Sequence, residues 1–180
     1  HGSFVATNVA LLGGASMLFL PGFDLDAILR SLPRATVLMG VPTFYTRLLE
    51  APQFDRALCE RMRLFVSGSA PLLAETHVAF EARTGHRILE RYGMTETNMN
   101  TSNPYDGERR AGTVGLPLPG VDVIVADPET GAPLSAGETG VVRVTILPGR
   151  NNYESSSRNG VTSYQWQSYP ASYKIERVKD

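Results

Sequence analysis

One cysteine, one tryptophan and almost no net charge are what this chain of 180 residues offers least. Cys59 has no second thiol to pair with, which excludes an internal disulfide framework and makes a cytoplasmic location the natural expectation. With 17 basic against 18 acidic residues the formal net charge is −1, so there is no electrostatic footprint for nucleic acid or for an anionic membrane. No apolar run approaches the roughly 20 residues that a bilayer span needs. Residues 1–20 lack a basic leader, and Gly13-Gly14 interrupts their apolar stretch, so they do not read as a secretory signal. The chain opens on His1 in place of methionine, and further sequence is expected upstream.

What is there reads as globular: 42% apolar and 19% charged residues, enough for one domain or part of a larger one. Small molecules are the expected partners. Apolar residues from Ser3 to Leu12 stop at Gly13-Gly14 as a helix would, and Ser16–Leu20 reads as a strand ended by Pro21-Gly22. Asp24 is a plausible N-cap for a helix through Leu32, with Leu25, Ile28, Leu29 and Leu32 on one face. Thr36–Val41 is nearly all apolar, as for a strand buried on both faces. Pro42 suits a first helical position, and Phe44, Tyr45, Leu48 and Leu49 follow with helical spacing. A polar connector, Ala51–Arg61, includes Cys59 at what reads as a partly buried helix position, so its thiol is no candidate nucleophile.

Met62–Val66 then reads as a strand, Leu72–Thr84 as a helix stopped by Gly85, and Arg87–Glu90 as the start of a further strand. This alternation predicts an α/β fold, a mostly parallel sheet with flanking helices. After Gly112 the pattern becomes β-rich, with a hairpin from Val121–Val125 through Asp127–Gly131 to Gly140–Val144. Residues 150–173 are polar and aromatic without an apolar period, and read as a poorly ordered end or an aromatic binding strip.

The stretch Arg91-Tyr92-Gly93-Met94-Thr95-Glu96-Thr97 follows a strand as a polar loop, where open α/β sheets bind ligands. A tyrosine ring can lie against a base, glycine admits close backbone approach, and a hydroxyl with a carboxylate can hold phosphate and magnesium. Thr95 and Glu96 could equally form a helix N-cap with an acidic first turn. His77 and His86 have no partner at metal-ligand spacing and read as surface or helix-end residues.

Tyr92-Gly93-Met94-Thr95-Glu96 resembles the signature of the acyl-adenylate-forming enzymes, which include acyl-CoA synthetases, luciferases and adenylation domains. Leu64–Leu72 resembles that family's strand and glycine loop, and Gly112–Val121 its glycine-proline segment. Over residues 1–144 the chain is similar to bacterial malonyl-CoA synthetases, so 1–144 is expected to be a partial AMP-binding domain and 145–180 an unmatched tail, foreign to the family or poorly ordered.

The resemblance implies ATP, Mg2+ and coenzyme A as co-substrates, and malonate or methylmalonate as the acid. Thr95 and Glu96 are the implied catalytic pair, with Thr95 on a phosphate oxygen and Glu96 on the magnesium ion. Ser67, Gly68, Ala70, Tyr92, Gly93 and Met94 are implied around the nucleotide, Tyr92 stacking on adenine. Arg47 and Ser69 are implied at the free carboxylate of the acid, and His1 as the end of a histidine motif beside it. By composition Arg47 also reads as an ordinary exposed helix arginine. A different small acid, or a non-catalytic product with weak nucleotide binding, stays open. The family's phosphate loop with its lysine and its mobile C-terminal domain are not recognised here, so no turnover is expected of this chain alone.

Overall fold

The computed structural model describes residues 2–146 and 173–175, and its contacts divide the chain into two units, His1–Leu116 and Pro117–Asp180. In the first unit α1 spans Gly2–Leu12 and is followed by Gly14 at φ 64°. Asp24 caps α2 (Leu25–Ser31) by accepting from Ala27 N at 2.9 Å. The helix tightens into a single 3-10 turn, Leu32–Arg34, because Pro33 has no N–H for the ladder. Ile28, Leu29 and Leu32 turn inward as their spacing predicts.

Then come β1 (Val37–Gly40), α3 (Pro42–Glu50), β2 (Leu64–Ser67), α4 (Ala74–Thr84) and β3 (Leu89–Met94). The three strands are parallel in the order β1-β2-β3, with Val37 opposite Leu64 and Ser67 opposite Glu90. Both crossovers step the same way along the sheet, so right-handed connections put α3 and α4 on one face. There Phe80 of α4 meets Tyr45 edge-on at 5.4 Å, Phe65 at 4.9 Å and Phe54 at 5.5 Å. Each such fully buried ring contributes roughly 1.5–3 kcal/mol through its apolar area. Tyr45 satisfies its buried hydroxyl by donating to Val66 O at 2.5 Å, and burial holds that hydroxyl far above the usual tyrosine range. Gly85 ends α4 in the left-handed conformation at φ 78°.

Several expectations change. Ser16–Leu20 forms no strand, since no neighbour among the described residues pairs with its backbone, and Leu18 and Phe19 stay exposed. Burial of Thr36–Val41 on both faces is not found, because among the described residues β1 is the edge of its sheet and Val37 is 38% exposed. The connector 51–61 is turns instead of a helix at Cys59. It is less polar in effect than in composition, because Ala51, Phe54 and Cys59 all join the core. The largest change is at 91–97: β3 continues through Met94, turns at Thr95–Thr97, and returns antiparallel as β4 (Asn98–Ser102), with β5 (Leu116–Pro117) beyond it.

In the second unit β6 (Val121–Ala126) and β7 (Val141–Ile146) form the expected antiparallel hairpin, in register from Val121–Ile146 to Ala126–Val141. β8 (Tyr173–Ile175) lies antiparallel on β7. Most of the polar, aromatic tail lies outside the described residues, as does His1. Among the described residues no helix is long and apolar enough to cross a membrane.

Candidate functional site

The site is built where β2 and β3 end. Ser67 closes β2 opposite Glu90, so the loop that follows it starts beside the base of the β3–β4 hairpin. A Cβ on Gly68 would stand 3.4 Å from the Arg91 carbonyl oxygen, which shows how near the loop runs to β3. Ser67 is buried, and its Oγ has no partner. Ser69 adopts φ 69°, a conformation that costs a non-glycine residue about 1–2 kcal/mol, and both it and Ala70 are exposed.

Along the hairpin Tyr92 pairs with Thr101 and Gly93 with Met99, so Asn100 is the extra residue of a β-bulge. Bulges bend a strand and re-aim its side chains. The tip is closed by Thr97 N donating to Met94 O at 3.3 Å. Thr95 and Glu96 sit exposed on that tip, in a hairpin turn and not at a helix N-terminus. Tyr92 is half-buried, with its hydroxyl 3.7 Å from Met94 Sδ. Burial, then the charge of Glu96, raises the hydroxyl above its ordinary pKa.

No group of three His, Cys, Asp or Glu among the described residues could hold a metal ion. Glu96 is therefore a single exposed carboxylate. That fits magnesium, which binds through one or two carboxylates and completes its shell with phosphate oxygens and water, and does not fit an all-protein cage.

Arg47 is exposed on α3 with its guanidinium 4.9 Å above the Phe23 ring. Stacking of this kind steadies the charged group while leaving its N–H fork available. Among the described residues no hydrogen bond or ion pair joins Arg47 to Ser69 or to the hairpin.

Four features escaped the sequence reading. Arg91 is partly buried with Nε unpartnered, and desolvation lowers its pKa. Asn100 is fully buried with both amide atoms unpartnered, and Thr97 Oγ1 is buried and unpartnered as well. His77, expected at the surface or a helix end, lies within α4, is 1% exposed and has its Nδ1 3.4 Å from Glu90 Oε1. Its spacing from Phe80 and Thr84, which share the inward face of α4, was the available signal. His86 does sit just past the helix end, half-buried, with Nε2 3.2 Å from Cys59 O.

The AMP-binding enzyme family model matches residues 1–145. The mitochondrial malonate–CoA ligase of Mus musculus is 41% identical over 168 residues, covering 83% of this chain and 29% of that protein. ATP-bound MatB from Rhodopseudomonas palustris is 62% identical with a TM-score of 0.77, over 80% of this chain and 29% of that one. A malonyl-CoA ligase in a ternary product complex with methylmalonyl-CoA and AMP is 46% identical with a TM-score of 0.63, over 73% of this chain. The chain spans 29% of the length of each. With its fold shared and the family model matched through the hairpin and beyond, the chain belongs to the AMP-binding enzyme family.

Proposed function

We propose that this chain is a segment of an ATP-dependent malonate–CoA ligase. In the parent reaction a malonate carboxylate oxygen attacks the α-phosphorus of ATP and pyrophosphate leaves. The coenzyme A sulfur then attacks the acyl carbon of malonyl-adenylate, and AMP leaves. The observation that carries this reading is the β3–β4 hairpin, which presents Thr95 and Glu96 on an exposed turn with Tyr92 three and four residues before them. The likeness to ATP-bound MatB supports it.

In this reading Tyr92 stacks on adenine, Thr95 donates to a phosphate oxygen, and Glu96 holds magnesium. Ser67, Gly68, Ala70, Gly93 and Met94 line the nucleotide and acyl site. Magnesium supplies charge neutralisation at the phosphates when bound. Arg47 takes the free carboxylate with Ser69 beside it, since a forked cation matches a carboxylate in two contacts. Arg91, a partly desolvated cation whose buried Nε has no partner among the described residues, is a second group suited to an anion. The chain by itself binds nucleotide without turnover.

Titration calorimetry with MgATP tests this: heat is expected, and Glu96→Gln weakens binding by about tenfold or more. Complete absence of heat and of thermal stabilisation removes the nucleotide reading. The choice of a dicarboxylic acid over another small acid rests on Arg47. Unchanged malonate use by Arg47→Ala in the whole ligase removes it.

A further inference from the structure

One buried pair stands beside the hairpin without belonging to its exposed tip. Glu90 is 4% exposed and immediately precedes Arg91-Tyr92. Its carboxylate meets His77 Nδ1 at 3.4 Å, from α4. In the tautomer with its hydrogen on Nδ1, His77 donates to this carboxylate. On its other side, the Glu90 carbonyl accepts from Asn103 N at 3.0 Å and Asn103 Nδ2 at 3.4 Å. Asn103 is itself fixed, donating from Nδ2 to Thr113 O at 2.7 Å and accepting from Arg110 N at 3.2 Å. One residue is thus tied to a helix and to the 103–113 segment, two positions before the bulge that shapes the hairpin.

Stability alone does not account for such a pair. Volume-matched apolar residues in place of a buried pair are often neutral or stabilising, whereas a pair can fix one conformation of its surroundings. Here His77 Nε2 is left buried without a partner, a further cost that packing does not repay.

We infer that His77 is a positioning residue for the hairpin: through Glu90 it sets the base of β3, so that Tyr92, Thr95 and Glu96 hold their place beside the Ser67–Ala70 loop. The inference rests on the nucleotide reading for its consequence, but its structural half is tested independently. The double substitution His77→Leu with Glu90→Met removes the pair and keeps the site apolar, while His77→Asn keeps an N–H near the place of Nδ1.

Amide hydrogen exchange is measured on the full chain, together with MgATP titration. In the double variant, exchange over residues 91–102 is expected to quicken about tenfold, with β1 and β2 changing less than about twofold. MgATP affinity falls about tenfold, and His77→Asn stays within about threefold of the unsubstituted chain in both measurements. Unchanged exchange over 91–102, equal quickening in every strand, or a loosened hairpin with unchanged affinity each overturns the inference. If the unsubstituted chain gives no heat with MgATP, the nucleotide reading fails, and the contrast in exchange alone decides whether His77 positions the hairpin.

Discussion

A methyl group at position 115 has no room. Gly115 has φ +80°, and a Cβ built there would stand 2.0 Å from Ser102 O and 2.2 Å from Asn103 N. Those are backbone atoms at the end of β4, so no change of rotamer relieves the clash. Gly112, in the same segment, has φ +73° and meets only Ala74 Cβ, at an ordinary 3.6 Å. Alanine at either position bears the left-handed cost of about 1–2 kcal/mol. At 115 the segment must also move away from β4. That releases the bonds from Asn103 Nδ2 to Thr113 O at 2.7 Å and from Thr101 Oγ1 to Val114 O at 2.8 Å. At about 1 kcal/mol for each bond, Gly115→Ala costs about 3–4 kcal/mol and Gly112→Ala about 1–2. Urea unfolding followed by far-ultraviolet circular dichroism measures both. With a slope of about 2 kcal/mol per molar, the midpoints fall by about 1.5–2 M and 0.5–1 M. Equal midpoints for the two variants, or a Gly115→Ala midpoint within about 0.3 M of the unsubstituted chain, refute the reasoning.

Three further outcomes are expected. Phe80→Ala empties the centre of the aromatic cluster and destabilises the first unit by about 3–5 kcal/mol in thermal unfolding; a loss below about 1 kcal/mol would show that Tyr45, Phe54 and Phe65 collapse into the gap. Burial, with a smaller contribution from Asp55, pushes the Cys59 thiol up to about 12, so an aromatic disulfide reagent at about pH 8 should find no thiol in the native chain and one in urea. Because the folded value lies above the ordinary thiol value, this contribution is present at neutral pH and is lost as pH rises from the ordinary value through about 12. At the 127–131 turn, the Asp127 carboxylate accepts from Thr130 N, Thr130 Oγ1 and Glu129 N, which together hold it below the usual range. The turn's stabilisation is therefore present above the ordinary carboxylate value and lost as pH falls through the depressed one. Asp127→Asn should flatten the acid response of the Thr130 amide in nuclear magnetic resonance, and an unaltered response would reject that cause.

Where one residue type acts locally, the sequence was readable. Asp24 caps α2, Pro42 opens α3 and Gly85 closes α4, each at or within a residue of its expected place, because caps depend on neighbours close in the chain. Ser16–Leu20 failed because a strand exists only through a partner, and apolar composition does not supply one. The 91–102 hairpin was hidden for a related reason: Asn98 and Ser102 are poor strand formers by type, and their pairing to β3 overrides that preference.

The candidate site divides along the same line. The groups proposed to meet the ligand, Tyr92, Thr95 and Glu96, lie within five consecutive residues, so a short motif and its resemblance to the family displayed them. The groups inferred to hold them are His77, Glu90, Asn103 and Thr113, drawn from a helix, the first hairpin strand and the segment beyond the hairpin. Their partnership is a product of the sheet, where Glu90 comes between α4 and Asn103 only once β3 and β4 have paired. A substitution that spares the five-residue motif but breaks this support should therefore weaken the site while leaving its signature intact in the sequence.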